Sequence, residues 1–231
     1  MMKIKADSAC GALDMGVAAA LGLDYVGVRL GGGASLGGVM RRRCVGNMPD
    51  LVDGKSVVCG QDGAGGNERL VGVFADDTVQ TVLTCVYNFR LDYVQLDGNE
   101  GGIFVRNLLR TIVPDVRKRL GVIKGVTIGG AADFGKCLDY EGAVDMFVFR
   151  VPESVAAGAS AQQVCDLFAA YKGSVPFLLC TEGVAPGVAA AVVRGVAACC
   201  GVDVGMSLAD DSGMIDEPML RSYVDACGTA D

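Results

Sequence analysis

One phrase recurs four times along this chain and restricts its fold more than any other feature. Leu23-Asp24-Tyr25-Val26-Gly27-Val28, Leu91-Asp92-Tyr93-Val94-Gln95-Leu96, Val144-Asp145-Met146-Phe147-Val148-Phe149 and Val202-Asp203-Val204 each set one aspartate directly before a short apolar run. The phrases lie roughly 60 residues apart, twice the ~30 residues of one βα unit. Four more apolar runs fall between them: Met2 to Lys5, Leu70 to Phe74, Val122 to Ile128 and Val175 to Cys180. Apolar runs without alternation fit strands buried on both faces, as in a parallel sheet. Eight strands are therefore expected. Helical patterns separate them over Ala9 to Leu21, Asp77 to Phe89, Ile103 to Leu120, Ala131 to Tyr140, Ala161 to Tyr171, Ala185 to Ala198 and Asp216 to Cys227. The glycine-rich stretch Gly31 to Asn67 is expected to hold one short helix inside long loops.

Alternating strands and helices mean an α/β fold with parallel strands. Eight units in 231 residues come close to the ~250 of a (β/α)8 barrel. The rival layout, an open doubly wound sheet, carries a GxGxxG turn after its first strand when it binds dinucleotides. Ala6-Asp7-Ser8-Ala9-Cys10-Gly11 does not match that turn. The expectation is one (β/α)8 barrel domain over residues 1–231.

Composition narrows the chemistry. Histidine is absent, which removes Ser-His-Asp triads, imidazole bases and histidine-ligated metals. Lys plus Arg is 20 against 27 Asp plus Glu, so the chain lacks the basic footprint of a nucleic-acid binder. None of the 10 cysteines forms a CxxC pair, and no metal or organic cofactor is expected. The first residues hold no apolar signal region, so the expected location is cytoplasmic, with the thiols reduced and acting as small core hydrophobes. The longest apolar stretch, Val184 to Cys200, is broken by Pro186 and Arg194, so no membrane partner is expected. The expected partner is a phosphorylated small molecule, and the chain itself is expected as a monomer or homodimer.

In a barrel the chemistry sits at the C-terminal ends of the strands. Those ends offer Lys5 and Asp7, Arg29, Asp76, Gln95 with Asp97 and Glu100, Thr127, Arg150, Cys180 with Thr181 and Glu182, and Ser207 with Asp210 and Asp211. Loops seven and eight are where barrels often bind phosphate through backbone N–H groups. This makes Gly183, Val184, Gly205, Met206 and Ser207 the phosphate candidates, with Glu182 as a repelling neighbour. Lys5, Arg29 and Arg150 form either a cationic mouth for an anion or ion pairs with Asp7, Asp97 or Glu182.

The order of these motifs resembles the phosphoribosylanthranilate isomerase family of tryptophan biosynthesis. Lys3-Ile4-Lys5-Ala6 resembles the family's Lys-Ile-Cys-Gly opening, and Val71-Gly72-Val73-Phe74 its third strand. Tyr93-Val94-Gln95-Leu96-Asp97-Gly98-Asn99-Glu100 resembles its Val-Gln-Leu-His-Gly-Asp/Asn-Glu. Pro176-Phe177-Leu178-Leu179 and Gly201-Val202-Asp203-Val204 resemble strands seven and eight. The resemblance implies an Amadori rearrangement, in which a general acid opens the ribose ring and a general base takes a proton from C2. It also places departures. The family's Cys base is Lys5, its strand-six Asp acid is Arg150, and its strand-four His is Asp97. Its Ser-Pro-Arg is replaced near Gly33-Ala34-Ser35-Leu36-Gly37, Gly-Gly-Leu reads Glu182-Gly183-Val184, and Ser-Ser-Gly reads Gly205-Met206-Ser207. A lysine base needs a lowered pKa, and an arginine cannot be the acid. Asp7 or Asp97 is then expected as the replacement acid. Three readings stay open: an isomerase of this family, a non-catalytic relative that binds an anionic metabolite or partner, and a barrel enzyme using Lys5 as base or Schiff-base amine.

Overall fold

Each of the eight apolar runs becomes a strand in the computed structural model, which describes residues 2–7, 17–30, 68–113, 116–205 and 216–228. The strands are β1 (Lys3–Ala6), β2 (Tyr25–Arg29), β3 (Arg69–Phe74), β4 (Tyr93–Leu96), β5 (Gly121–Thr127), β6 (Met146–Arg150), β7 (Phe177–Cys180) and β8 (Cys199–Val204). All neighbours pair in parallel, β8 returns to β1, and the sheet closes into a barrel. Helices follow on the outside: α1 (Val79–Phe89), α2 (Gly102–Ile112), a 3₁₀ helix (Ala131–Tyr140), α3 (Glu153–Ala156), α4 (Ala161–Ala169), α5 (Pro186–Gly195) and α6 (Glu217–Gly228). Residues 17–20 are helical as well.

The absence of alternation has a direct cause, because both faces of the sheet are apolar. Val26, Leu96, Phe149 and Val202 pack outward with the helix residues Val82, Leu108, Phe168 and Leu220. Tyr25, Val71, Val73, Ile123, Met146, Val148 and Leu178 fill the barrel itself. At the N-terminal end, Tyr25 and Tyr93 meet edge to face at 5.4 Å, with Lys3 and Arg69 over the rings.

The recurring aspartate has a structural role in three of its four occurrences. Asp24 accepts from the Ile4 N–H at 2.9 Å, Asp92 from Leu70 N–H at 3.0 Å and Asp145 from Val122 N–H at 2.8 Å. Each latches the start of one strand to the start of the strand before it. Asp203 is not a fourth latch. It lies within β8 and is paired in register with Lys5. A bulge carries it there: Phe177 pairs with Cys199 but Leu178 pairs with Gly201, leaving Cys200 as the extra residue. Gly201 permits this approach, since a Cβ there would fall on the backbone of Lys3.

Other expectations change in detail. The helix expected to Leu120 stops at Ile112, because Pro114 has no N–H to extend the ladder. Ala131 to Tyr140 winds as a 3₁₀ helix, with the Asp133 carboxylate accepting from the N–H groups of Gly129 and Gly130. The short α3 has no counterpart in the sequence reading. The Gly31 to Asn67 stretch, the first half of the Ala9 helix, and Met206, Ser207, Asp210 and Asp211 lie outside the described residues.

Candidate active site

Parallel closure turns the inward side chains at the C-terminal strand ends toward one mouth. Six charged side chains meet there: Lys5 from β1 and Asp7 just after it, Arg29 from β2, Asp97 just after β4, Arg150 from β6 and Asp203 from β8. Lys5 Nζ donates to Asp7 Oδ1 and, at 2.7 Å, to Asp203 Oδ1. Arg150 Nη2 donates to Asp97 Oδ2 at 2.6 Å. Arg29 Nη2 stands 3.6 Å from Asp97 and 3.9 Å from Asp7, and so links the two pairs. Gln95 Nε2 donates to Asp97 Oδ1 at 3.0 Å. The cluster has an inner and an outer level. The side chains of Lys5, Asp7 and Asp203 are at most 2% exposed, whereas Arg29 is 15% and Arg150 22% exposed.

Two glycines make room for it. A Cβ on Gly27 would fall on the Asp7 carboxylate, and one on Gly125 would meet Arg150 and, at 2.5 Å, Asp97. Both sit at inward positions of apolar strands, where any larger residue would displace the ions.

The proton affinities follow from this packing. Burial works against the charge on Lys5, but Asp203 and Asp7 outweigh it and hold the ammonium above its ordinary value. That is the opposite of what a lysine base requires. Burial would raise Asp97 too, but Arg150, Arg29 and Gln95 reverse this and leave it below the usual carboxylate range. Asp97 therefore stays ionised and makes a poor acid. Arg150 is likewise held charged, since Asp97 overcomes its burial. Asp203 moves the other way. Burial and the nearby Asp7 push it up to about 7, against the pull of Lys5 and Arg150. The inward thiol of Cys180 makes a poor base, because burial and Asp203 push it up to about 12.

Sequence reasoning brought Lys5, Asp7, Arg29, Asp97 and Arg150 to one mouth, and the structure assembles them there as ion pairs. The carboxylate it named as Glu182 in that network is instead Asp203. The signal for Asp203 is a charged residue inside an apolar strand, which the recurring aspartate phrase masks. Lys124 carries the same signal in β5. It faces outward and donates to Leu96 O at 3.1 Å, Gly98 O at 2.6 Å and Glu100 Oε2 at 3.0 Å. Glu100 also accepts from Asp76 N–H at 2.7 Å. These rim candidates brace the loop that carries Asp97.

The phosphate candidates divide. After β7 the chain turns through Gly183, at φ 72°, into α5, whose first residue is Pro186. The Val184 N–H is spent inside that turn on Thr181 O at 2.9 Å, so it is not a ligand donor. The Glu182 carboxylate lies against Gly205, where a Cβ would meet its Oε1 at 2.9 Å. Among the described residues, no group of three or more His, Cys, Asp or Glu could hold a metal ion, and no helix is long and apolar enough to cross a membrane.

Comparisons with known proteins agree with this architecture. A family model described as N-(5'phosphoribosyl)anthranilate (PRA) isomerase matches residues 61–226. An N-(5'-phosphoribosyl)anthranilate isomerase from Parabacteroides distasonis is 28% identical over 157 residues, 68% of this chain and 67% of that protein. The solved phosphoribosyl anthranilate isomerase from Thermotoga maritima superposes with a TM-score of 0.68 at 18% identity, covering 100% of both chains. A phosphoribosyl anthranilate isomerase solved with reduced 1-(o-carboxyphenylamino)-1-deoxyribulose 5-phosphate superposes at 0.64, with 18% identity and 100% of both chains covered.

Proposed function

The chain belongs to the phosphoribosylanthranilate isomerase family, and from that premise we propose that its mouth binds a phosphorylated ribosyl–anthranilate and isomerises it with Asp203 as the proton carrier. The observation that carries this reading is the placement of Asp203, a carboxyl buried in the mouth 2.7 Å from the Lys5 ammonium, where burial and Asp7 push its pKa up to about 7. An Amadori-type isomerisation first needs a proton on the ribose ring oxygen, then removal of a proton from C2. One carboxyl near neutrality serves both steps in turn. Neutral Asp203 gives its proton to the ring oxygen and is left as a carboxylate. That carboxylate then takes the C2 proton and regains its starting form, and the resulting enol becomes the ketone. Lys5 stays an ammonium throughout and stabilises the carboxylate between the steps.

Charge supports the ligand class. Lys5, Arg29 and Arg150 face Asp7, Asp97 and Asp203, so protonation of Asp203 leaves this cluster of six with one positive charge in excess, which favours an anion there, while Glu182 beside Gly205 keeps the anion toward the cluster. Gly183 and Gly205 are the phosphate-end backbone candidates, together with Met206 and Ser207. A cytoplasmic setting and a monomer or homodimer complete the reading.

The test is substrate loss from phosphoribosylanthranilate with the purified protein. Turnover that Asp203→Asn abolishes and that Lys5→Ala reduces is the expected result. Undiminished turnover in Asp203→Asn contradicts the assignment. A second reading, a binding barrel without turnover, is favoured by one observation: both family catalytic positions hold cations locked to carboxylates. It predicts no turnover, with the melting temperature raised by the same compound.

A further inference from the structure

Two buried side-chain atoms of the mouth have no hydrogen-bond partner, Arg29 Nε and Gln95 Oε1, and they are the only such atoms among the described residues. They belong to side chains that meet on one carboxylate, Asp97. A buried polar atom left without a partner costs about 1–3 kcal/mol, so folded proteins rarely keep one without a use.

The orientation of the Gln95 amide is fixed by chemistry. Its neighbour Asp97 is ionised, held so by Arg150 and Arg29 despite its burial. A carboxylate only accepts, so it takes the amide NH₂ at 3.0 Å and turns the carbonyl oxygen away. Gln95 is fully buried, inward-facing on β4, and its orphaned atom is therefore an acceptor. The orphaned atom of Arg29 is a donor.

We infer that Arg29 and Gln95 recognise a hydroxyl group of the ligand's sugar. A hydroxyl has both capacities, accepting from Arg29 Nε–H and donating to Gln95 Oε1. A phosphate or carboxylate oxygen would satisfy the arginine but repel the glutamine oxygen. An aryl amine donates, yet its lone pair is delocalised into the ring and accepts poorly. The pair thus reads the polyol part of the ligand and leaves the anionic ends to other groups. This inference rests on the proposed phosphosugar ligand and adds the part of that ligand which these two residues select.

The experiment compares two probes, ribose 5-phosphate and inorganic phosphate, by calorimetric titration of the whole chain and of Gln95→Met. Gln95→Met is expected to weaken ribose 5-phosphate about tenfold, the cost of one lost polar contact of ~1.4 kcal/mol, while inorganic phosphate changes less than about twofold. Equal effects on both probes, or none on either, overturn the inference and leave the phosphosugar reading standing. A wild-type protein that binds neither probe overturns that reading and the inference with it. Should Gln95→Met fail to fold, Arg29→Lys carries the same comparison, since it keeps the charge and removes Nε.

Discussion

Lys5 shows how a residue's chemistry is decided by partners that sequence distance conceals. Read alone, a lysine at the family's base position suggests an amine that accepts protons. Placed between Asp7 and Asp203, the latter 198 residues away, it becomes a fixed cation. The same packing raises Asp203, and the linkage has a definite sign. A carboxyl whose folded pKa of about 7 exceeds its unfolded value of about 3.9 binds more protons when folded. Stability contributed by that proton is present at low pH and is lost as pH rises from about 4 through 7. Lys5 and Asp97 titrate outside this window, the first held higher and the second lower than usual. The melting temperature is therefore expected to fall between pH 5 and 8, and Asp203→Asn to flatten that slope. A slope unchanged in the variant would remove Asp203 from the account.

At the scale of elements, the repeated aspartate separates what was legible from what was not. Eight strands could be read because each run is apolar on both faces, and Asp24, Asp92 and Asp145 mark three strand starts by latching backbone N–H groups. Asp24→Ala is expected to lose about 1 kcal/mol in chemical denaturation, the worth of one such hydrogen bond, with ligand binding at the far end unchanged. A loss of binding in that variant would mean that the two barrel ends are coupled. The fourth aspartate differs because β8 already begins at Cys199, and the bulge at Cys200 shifts its register against β7; no pattern in a single strand announces a bulge. Helical periodicity runs on past Pro114, whereas the helix itself ends at Ile112.

Across the whole molecule, chemistry and anchoring occupy opposite ends of the barrel. Tyrosines and cations plug the N-terminal end, and the charged cluster fills the C-terminal mouth. Barrel geometry alone named five of the six charged mouth residues, because strand ends can be counted along the chain. It also offers their pairing with carboxylates, but not which carboxylate meets which cation, since that depends on which residues share a level after closure. The family's barrel persists in this arrangement, while the positions that the resemblance assigns to its thiol base and strand-six acid, Lys5 and Arg150, hold cations. In our proposal Asp203 carries the proton in their place, and the pH dependence of kcat/KM for phosphoribosylanthranilate tests this. Turnover is expected to fall as pH rises past about 7, where Asp203 loses the proton needed for ring opening, and to vanish in Asp203→Asn. Turnover that is flat from pH 6 to 9, or that survives in Asp203→Asn, would contradict it.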